Sequence, residues 1–153
     1  MIVFPPFKSF TLTLVSIVIL STISCDNKHL TPVDMTKFIG TWELKGRTMF
    51  DGIYIQIDKN KKNEYVGVIK KLNENKWVNQ FSEIGEQWVL KIERMSNFQF
   101  ELSEKRIASE LFGLYDLKTT DTYKVEFIDD NTLVLAKGSQ SPLKSKIKYI
   151  KVQ

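Results

Sequence analysis

From Gly40 almost to the last residue, apolar side chains recur at every second position in short runs separated by polar turns. A strand sends successive side chains to opposite faces, whereas a helix needs a repeat near 3.6, so this pattern predicts short strands with one buried face each. Ile53, Ile55 and Ile57 alternate with Tyr54, Gln56 and Asp58 over Gly52 to Asp58, and the polar turn Lys59 to Asn63 leaves Glu64 to Leu72 to return antiparallel. Trp88, Leu90 and Ile92 point inward over Gln87 to Arg94, as do Phe98, Phe100 and Leu102 over Asn97 to Leu102. Tyr123, Val125 and Phe127 lead into an Asp129, Asp130, Asn131 turn, from which Thr132 to Lys137 comes back. Thr41 to Lys45 is the first strand and Lys146 to Val152 the last, with a bulge at Tyr149 and Ile150. Phe112 to Lys118 adds a strand with a kink at Gly113. Tyr54 and Tyr65 fall on the less apolar faces, as surface aromatics do. Ahead of all these, Thr31 caps a short helix through Phe38, with Pro32 in its first turn and Asp34 near the positive end of its dipole. The domain is all-β, and its eight or nine strands must stack as a sandwich or close on themselves.

Stability must come from that packing alone, because the 153 residues hold one cysteine, Cys25. It follows an apolar run, Phe10 to Leu20, preceded by Lys8 and followed by the small residues Ser21 to Ser24. The run is too short to span a bilayer, which takes roughly 20 apolar residues. Ser21 to Cys25 (STISC) resembles the lipobox of bacterial lipoproteins, although Thr22 stands where that family usually has leucine. The resemblance implies a signal peptide at 1–24, a diacylglyceryl group on the Cys25 sulfur with an acyl chain on its new amine, a tether at 25–30, and a domain at 31–153. It implies the bacterial cell envelope as the location, the outer membrane favoured over the inner, with the leaflet open. Without Lys8 the chain holds 21 basic against 18 acidic residues. That mild excess lies mostly in loops and is not interleaved with stacking aromatics, so no nucleic-acid partner is expected.

The missing residue types exclude more chemistry. The only histidine is His29, in the tether, so the folded part has neither imidazole nor thiolate. Histidine-activated nucleophiles and zinc sites built on those ligands are excluded. Carboxylate pairs such as Glu101 with Glu104 exist, but a charged fraction of 26% makes them inevitable by chance. Asp58, Asn60, Asn63 and Glu64 surround one turn, yet they lack the glycine and closing glutamate of a calcium loop and sit among Lys59, Lys61 and Lys62. The expectation is therefore a hairpin turn there, no metal, no cofactor and no enzyme.

Phe38 to Trp42 runs from a short helix into Gly-x-Trp at the head of the first strand, and this resembles the opening of lipocalins, with Gly40 and Trp42 at the matching positions. Thr120 to Tyr123 loosely echoes their later Thr-Asp-Tyr motif. The late arginine that packs on the tryptophan has no counterpart after Arg106, and Lys146 or Lys148 are its nearest substitutes. The resemblance implies an antiparallel up-and-down barrel of about eight strands, closed at one end by Trp42 and carrying a small apolar ligand. The segment Asn73 to Glu86, with Trp77 and Phe81, is then expected either to close over a barrel mouth or to cap the core. Trp42, Trp77, Phe81 and Trp88 are the candidates for touching such a ligand. Bulky inward residues leave two functions open: a tethered carrier of a small hydrophobic molecule, or a filled barrel that binds another envelope protein through its surface.

Overall fold

The computed structural model describes residues 31–152; Cys25, His29 and the segment around them lie outside the described residues. Eight strands form one closed antiparallel barrel, each hydrogen-bonded to its neighbours in sequence and the last to the first. They are β1 (Gly40–Lys45), β2 (Tyr54–Lys59), β3 (Tyr65–Lys71), β4 (Gln87–Arg94), β5 (Gln99–Lys105), β6 (Thr120–Asp129), β7 (Thr132–Ala136) and β8 (Lys148–Lys151). Closure leaves no edge strand unpaired, which is how a sheet this small removes its risk of edge-to-edge association. The alternation read from the sequence is the inside of this barrel: Trp42 and Leu44, Ile55 and Ile57, Phe100 and Leu102, Leu133 and Leu135 are all fully buried. Removing each such side chain from water contributes about 1.5–3 kcal/mol.

The two ends differ. At one, the turns are Asn60 to Glu64, Met95 to Phe98 and Asp130 to Asn131; at the other, the connections run over 46–53, 72–86, 106–119 and 137–147. A 3-10 helix, Met35–Phe38, crosses the short-turn end and drives Phe38 into the core. There its ring meets Phe100 edge-on at 4.9 Å and Phe127 at 4.9 Å. Asp34 caps this helix by accepting from the Thr36 amide, so the cap is Asp34 and not Thr31. The chain ahead of it is held by the β4–β5 turn, where the Val33 amide donates to Asn97 O at 2.8 Å and Arg94 Nη2 donates to Val33 O at 2.5 Å.

The remaining departures from the sequence reading have local causes. Residues 112–118 are not a strand: Ser109–Leu114 form helix α2, and Leu111, Leu114 and Leu117 are exposed, with no sheet face to alternate against. A second short helix, α1 (Lys76–Phe81), lies inside the segment expected to be irregular, with Asn75 as its cap. Phe98 belongs to the turn before β5 and is 41% exposed, not part of the inward series. In β4 the register shifts between Val89 and Lys91, so Val89 is fully buried beside Trp88 and Leu90 is only half-buried. In β8 the pairing is regular on both sides, without a bulge; Tyr149 points in and Ile150 is half-buried. Tyr65 is a core residue, packed 6.4 Å from Phe38, while Tyr54 is half-buried on the outer face.

Candidate functional site

Each of the four candidate aromatics has a definite place. Trp42 closes the short-turn end, fully buried, its indole Nε1 donating to Phe38 O at 2.7 Å. The cation over its ring is Lys151, with Nζ 5.1 Å from the centroid, and neither Lys146 nor Lys148. Gly40 makes this possible, since a Cβ there would stand 2.7 Å from Lys151 Cε and its φ is +139°. Trp88 lies inside the barrel on β4 toward the long-loop end. Trp77 and Phe81 are elsewhere: both are partly exposed on α1, whose inward residue is Val78.

The interior at the long-loop end holds a charged group that the apolar pattern conceals. Glu104 continues the inward series of Phe100 and Leu102 on β5 and is 0% exposed. Its Oε1 accepts from the Tyr149 hydroxyl at 2.6 Å, and that hydroxyl accepts from Trp88 Nε1 at 3.1 Å. Its Oε2 accepts from Arg47 Nη1. Arg47 comes not from a strand but from the β1–β2 connection. Its guanidinium lies 4.5 Å from the Phe50 ring centroid and 5.4 Å from that of Tyr123. Phe50 in turn packs on Trp88 at 5.2 Å. The connection can turn inward because Gly46, at φ +81°, lies against the backbone of Lys146, where a Cβ would come within 2.0 Å of a carbonyl oxygen. Arg47 and Phe50 together form a plug, and the ion pair beneath it is satisfied on both carboxylate oxygens. Glu101, three residues away on β5, faces out, because residues three apart in a strand lie on opposite faces, so it makes no pair with Glu104.

The network fixes protonation. Burial opposes the Arg47 charge, but the Glu104 carboxylate more than offsets this and the guanidinium sits above its ordinary value. Burial first, and then the negative charge on Glu104, push the Tyr149 phenol well above its ordinary value. An unfolded tyrosine ionises near pH 10. Above that pH the unfolded chain therefore binds fewer protons than the folded one, and stability falls as pH rises. Thermal melts should show Tyr149→Phe less stable at neutral pH by about 1.5–3 kcal/mol, the worth of a hydrogen bond to a charged group, and less steeply destabilised above pH 10. Parallel curves for the two proteins would show that the phenol does not keep its proton.

Packing leaves little room for a guest. A side chain bordering a space that admits a water-sized sphere is exposed to it, yet Trp42, Leu44, Ile55, Ile57, Ile69, Phe100 and Leu102 show no exposure at all. A cleft of about 780 Å³ lies on the outside of the barrel between Asn79 to Glu86 and Lys105 to Leu111. No family model, no curated protein and no solved structure matches this chain. The eight-stranded closed barrel is compatible with a calycin-like fold. The turn from Asn60 to Glu64 is the hairpin turn expected there: Asn60 Oδ1 accepts from the amides of Lys62 and Glu64, and Asn63 sits at φ +63°.

The sequence reading missed Arg47, Glu104 and Tyr149 as a unit. The available signal was parity: Glu104 has the same phase as Phe100 and Leu102. Its partner Arg47 is 57 residues away, in a polar turn without periodicity, so nothing local connects them.

Proposed function

We propose that this chain is a lipid-tethered, filled β-barrel that acts through its long-loop end as a binding module for another protein of the bacterial envelope. The observation that carries this reading is the contrast between the two apolar populations. Inward strand side chains such as Trp42, Leu44, Ile55, Ile57, Phe100 and Leu102 are buried to completion, while the loops at one end expose Trp77, Ile84, Leu111, Leu114, Tyr115 and Leu117. Leu114 is 81% exposed and Tyr115 72%. Isolated apolar side chains on a surface need no explanation, but their concentration in the loops of one end of a barrel marks a contact surface. Carriage of a small apolar ligand inside the barrel has less support, because Arg47 and Phe50 would have to leave first and Glu104 would lose its counter-charge.

Anchoring at Cys25 is consistent with such a role. Residues 26 to 31 separate the cysteine from Pro32.

A photo-crosslinking residue at position 114 in living cells should give a discrete adduct that Tyr115→Asp abolishes, and the same residue at position 61 should give none. Palmitate label should enter the wild type and not Cys25→Ser. Equal adducts at both positions, or a stoichiometric apolar lipid in the purified wild type, would overturn the reading.

A further inference from the structure

The connection from β1 to β2 has the build of a hinged lid. Residues 47–51 are bounded by two glycines in the left-handed region, Gly46 at φ +81° and Gly52 at φ +82°, a conformation that costs glycine little. Between them the turn closes on itself: Arg47 N donates to Asp51 Oδ1 at 2.8 Å and Phe50 N to Arg47 O at 2.6 Å. Thr48, Met49 and Asp51 are exposed. Side chains fasten this turn to the barrel, since Asn73 Nδ2 donates to both Met49 O and Asp51 O at 2.9 Å, Phe50 packs on Trp88, and Arg47 reaches Glu104. A turn that holds its own shape between two permissive joints can open as a unit.

What lies beneath the lid selects its occupant. Lifting Arg47 strands the Glu104 carboxylate, which has no exposure and would keep only the Tyr149 hydroxyl. An unpaired buried carboxylate is costly, so a neutral or anionic guest gains nothing from an open lid. A guest that carries a cation restores the pair. The seat also has aromatic walls: Arg47 Cζ lies 5.4 Å from the ring centroid of Tyr123 and 5.9 Å from that of Trp88, and both rings belong to strands and not to the lid. A planar guanidinium stacks on aromatic faces while it donates to a carboxylate, which a compact ammonium does less well.

We propose that residues 46–52 form a lid over an interior guanidinium site, made of Glu104, Tyr149, Trp88 and Tyr123, in which Arg47 sits as the chain's own occupant until an external alkylguanidinium takes its place. The ligand chemistry is that of an arginine side chain, free or displayed on a peptide. This site lies within the barrel mouth and goes beyond the docking reading, which uses the exposed apolar loops.

The test is a titration of the full-length protein in detergent with ethylguanidinium, followed by NMR through the Trp88 indole N–H, which donates to the Tyr149 hydroxyl. The Trp42 indole, at the opposite end of the barrel, is the control. In the wild type the Trp88 signal should shift to saturation while Trp42 stays still, and ethylurea, of similar shape without the charge, should move neither. Asn73→Ala loosens the lid without touching the site and should tighten ethylguanidinium several-fold; Arg47→Ala should tighten it by at least about tenfold, because the competing occupant is gone. Bound ethylguanidinium should then raise the melting temperature of Arg47→Ala. Competition by a blocked Gly-Arg-Gly peptide would identify an arginine on a polypeptide as the guest, and competition by free L-arginine alone would identify the small molecule. A wild type that does not saturate, Asn73→Ala that binds no tighter, or ethylurea that matches ethylguanidinium would overturn the lid and its site, and the first two of these need no variant of the ion pair. Crosslinking from position 114 does not involve these residues, so the docking reading stands or falls separately.

Discussion

Arg47→Met is expected to destabilise the barrel by about 3–5 kcal/mol, the loss found when one partner of a buried ion pair is removed and the other is stranded. Glu104 has no exposure and would keep only the Tyr149 hydroxyl as a donor. The guanidinium does not act through charge alone: it lies against Phe50 and Tyr123, so the plug loses packing as well. Denaturant titration should show the midpoint falling with little change in slope, since the surface exposed on unfolding is nearly the same. The double variant Arg47→Met, Glu104→Leu should recover most of the loss, because a buried pair replaced by apolar groups of similar size is close to neutral. That makes the two changes strongly non-additive, as expected for residues in contact. A single variant that costs less than about 1 kcal/mol would place the pair in the class of surface bridges, and the interior would then not be sealed.

Trp42→Ala should cost a comparable amount, about 3–5 kcal/mol, through the cavity it leaves and the contacts it ends. The side chain is fully buried, donates to Phe38 O, and supports the ring of Phe127 at 6.4 Å. The 3-10 helix at the short-turn end loses an anchor with it, and Lys151 loses the ring beneath its ammonium. Trp77→Ala serves as the comparison. That indole is 50% exposed on a six-residue helix, and its removal should stay within about 0.5 kcal/mol. Equal losses in the two variants, measured by chemical unfolding, would contradict the inward and outward placement of these residues.

Most of the barrel was legible because its strands obey one rule, and the misses fall where that rule stops. The alternation of apolar residues carries β5 only to Leu102, because the next inward position is a carboxylate; the structure extends the strand through Lys105 and satisfies Glu104 from across the barrel. The bulge in β4 brought Val89 inside where strict alternation places it outside. Residues 109–114 carry apolar side chains in an order that fits neither a strand nor a buried helix, and they form a helix that exposes them. Tyr65 was assigned to the surface by neighbours that are polar in sequence, but its ring is held by Phe38, 27 residues earlier. The plug was beyond reach of any local pattern. It depends on Gly46 admitting a backbone contact with Lys146, a residue on the other side of the chain's closure. The cleft was invisible for the same reason, since its walls come from two connections that the topology alone brings side by side.

An even number of antiparallel staves returns the chain to where it began. Pro32 and Val152 both leave from the short-turn end, where the Val152 amide donates to Thr41 O and Lys151 Nζ to Lys37 O. A reporter or affinity tag appended at the carboxyl terminus would therefore crowd the floor of the molecule and spare its roof.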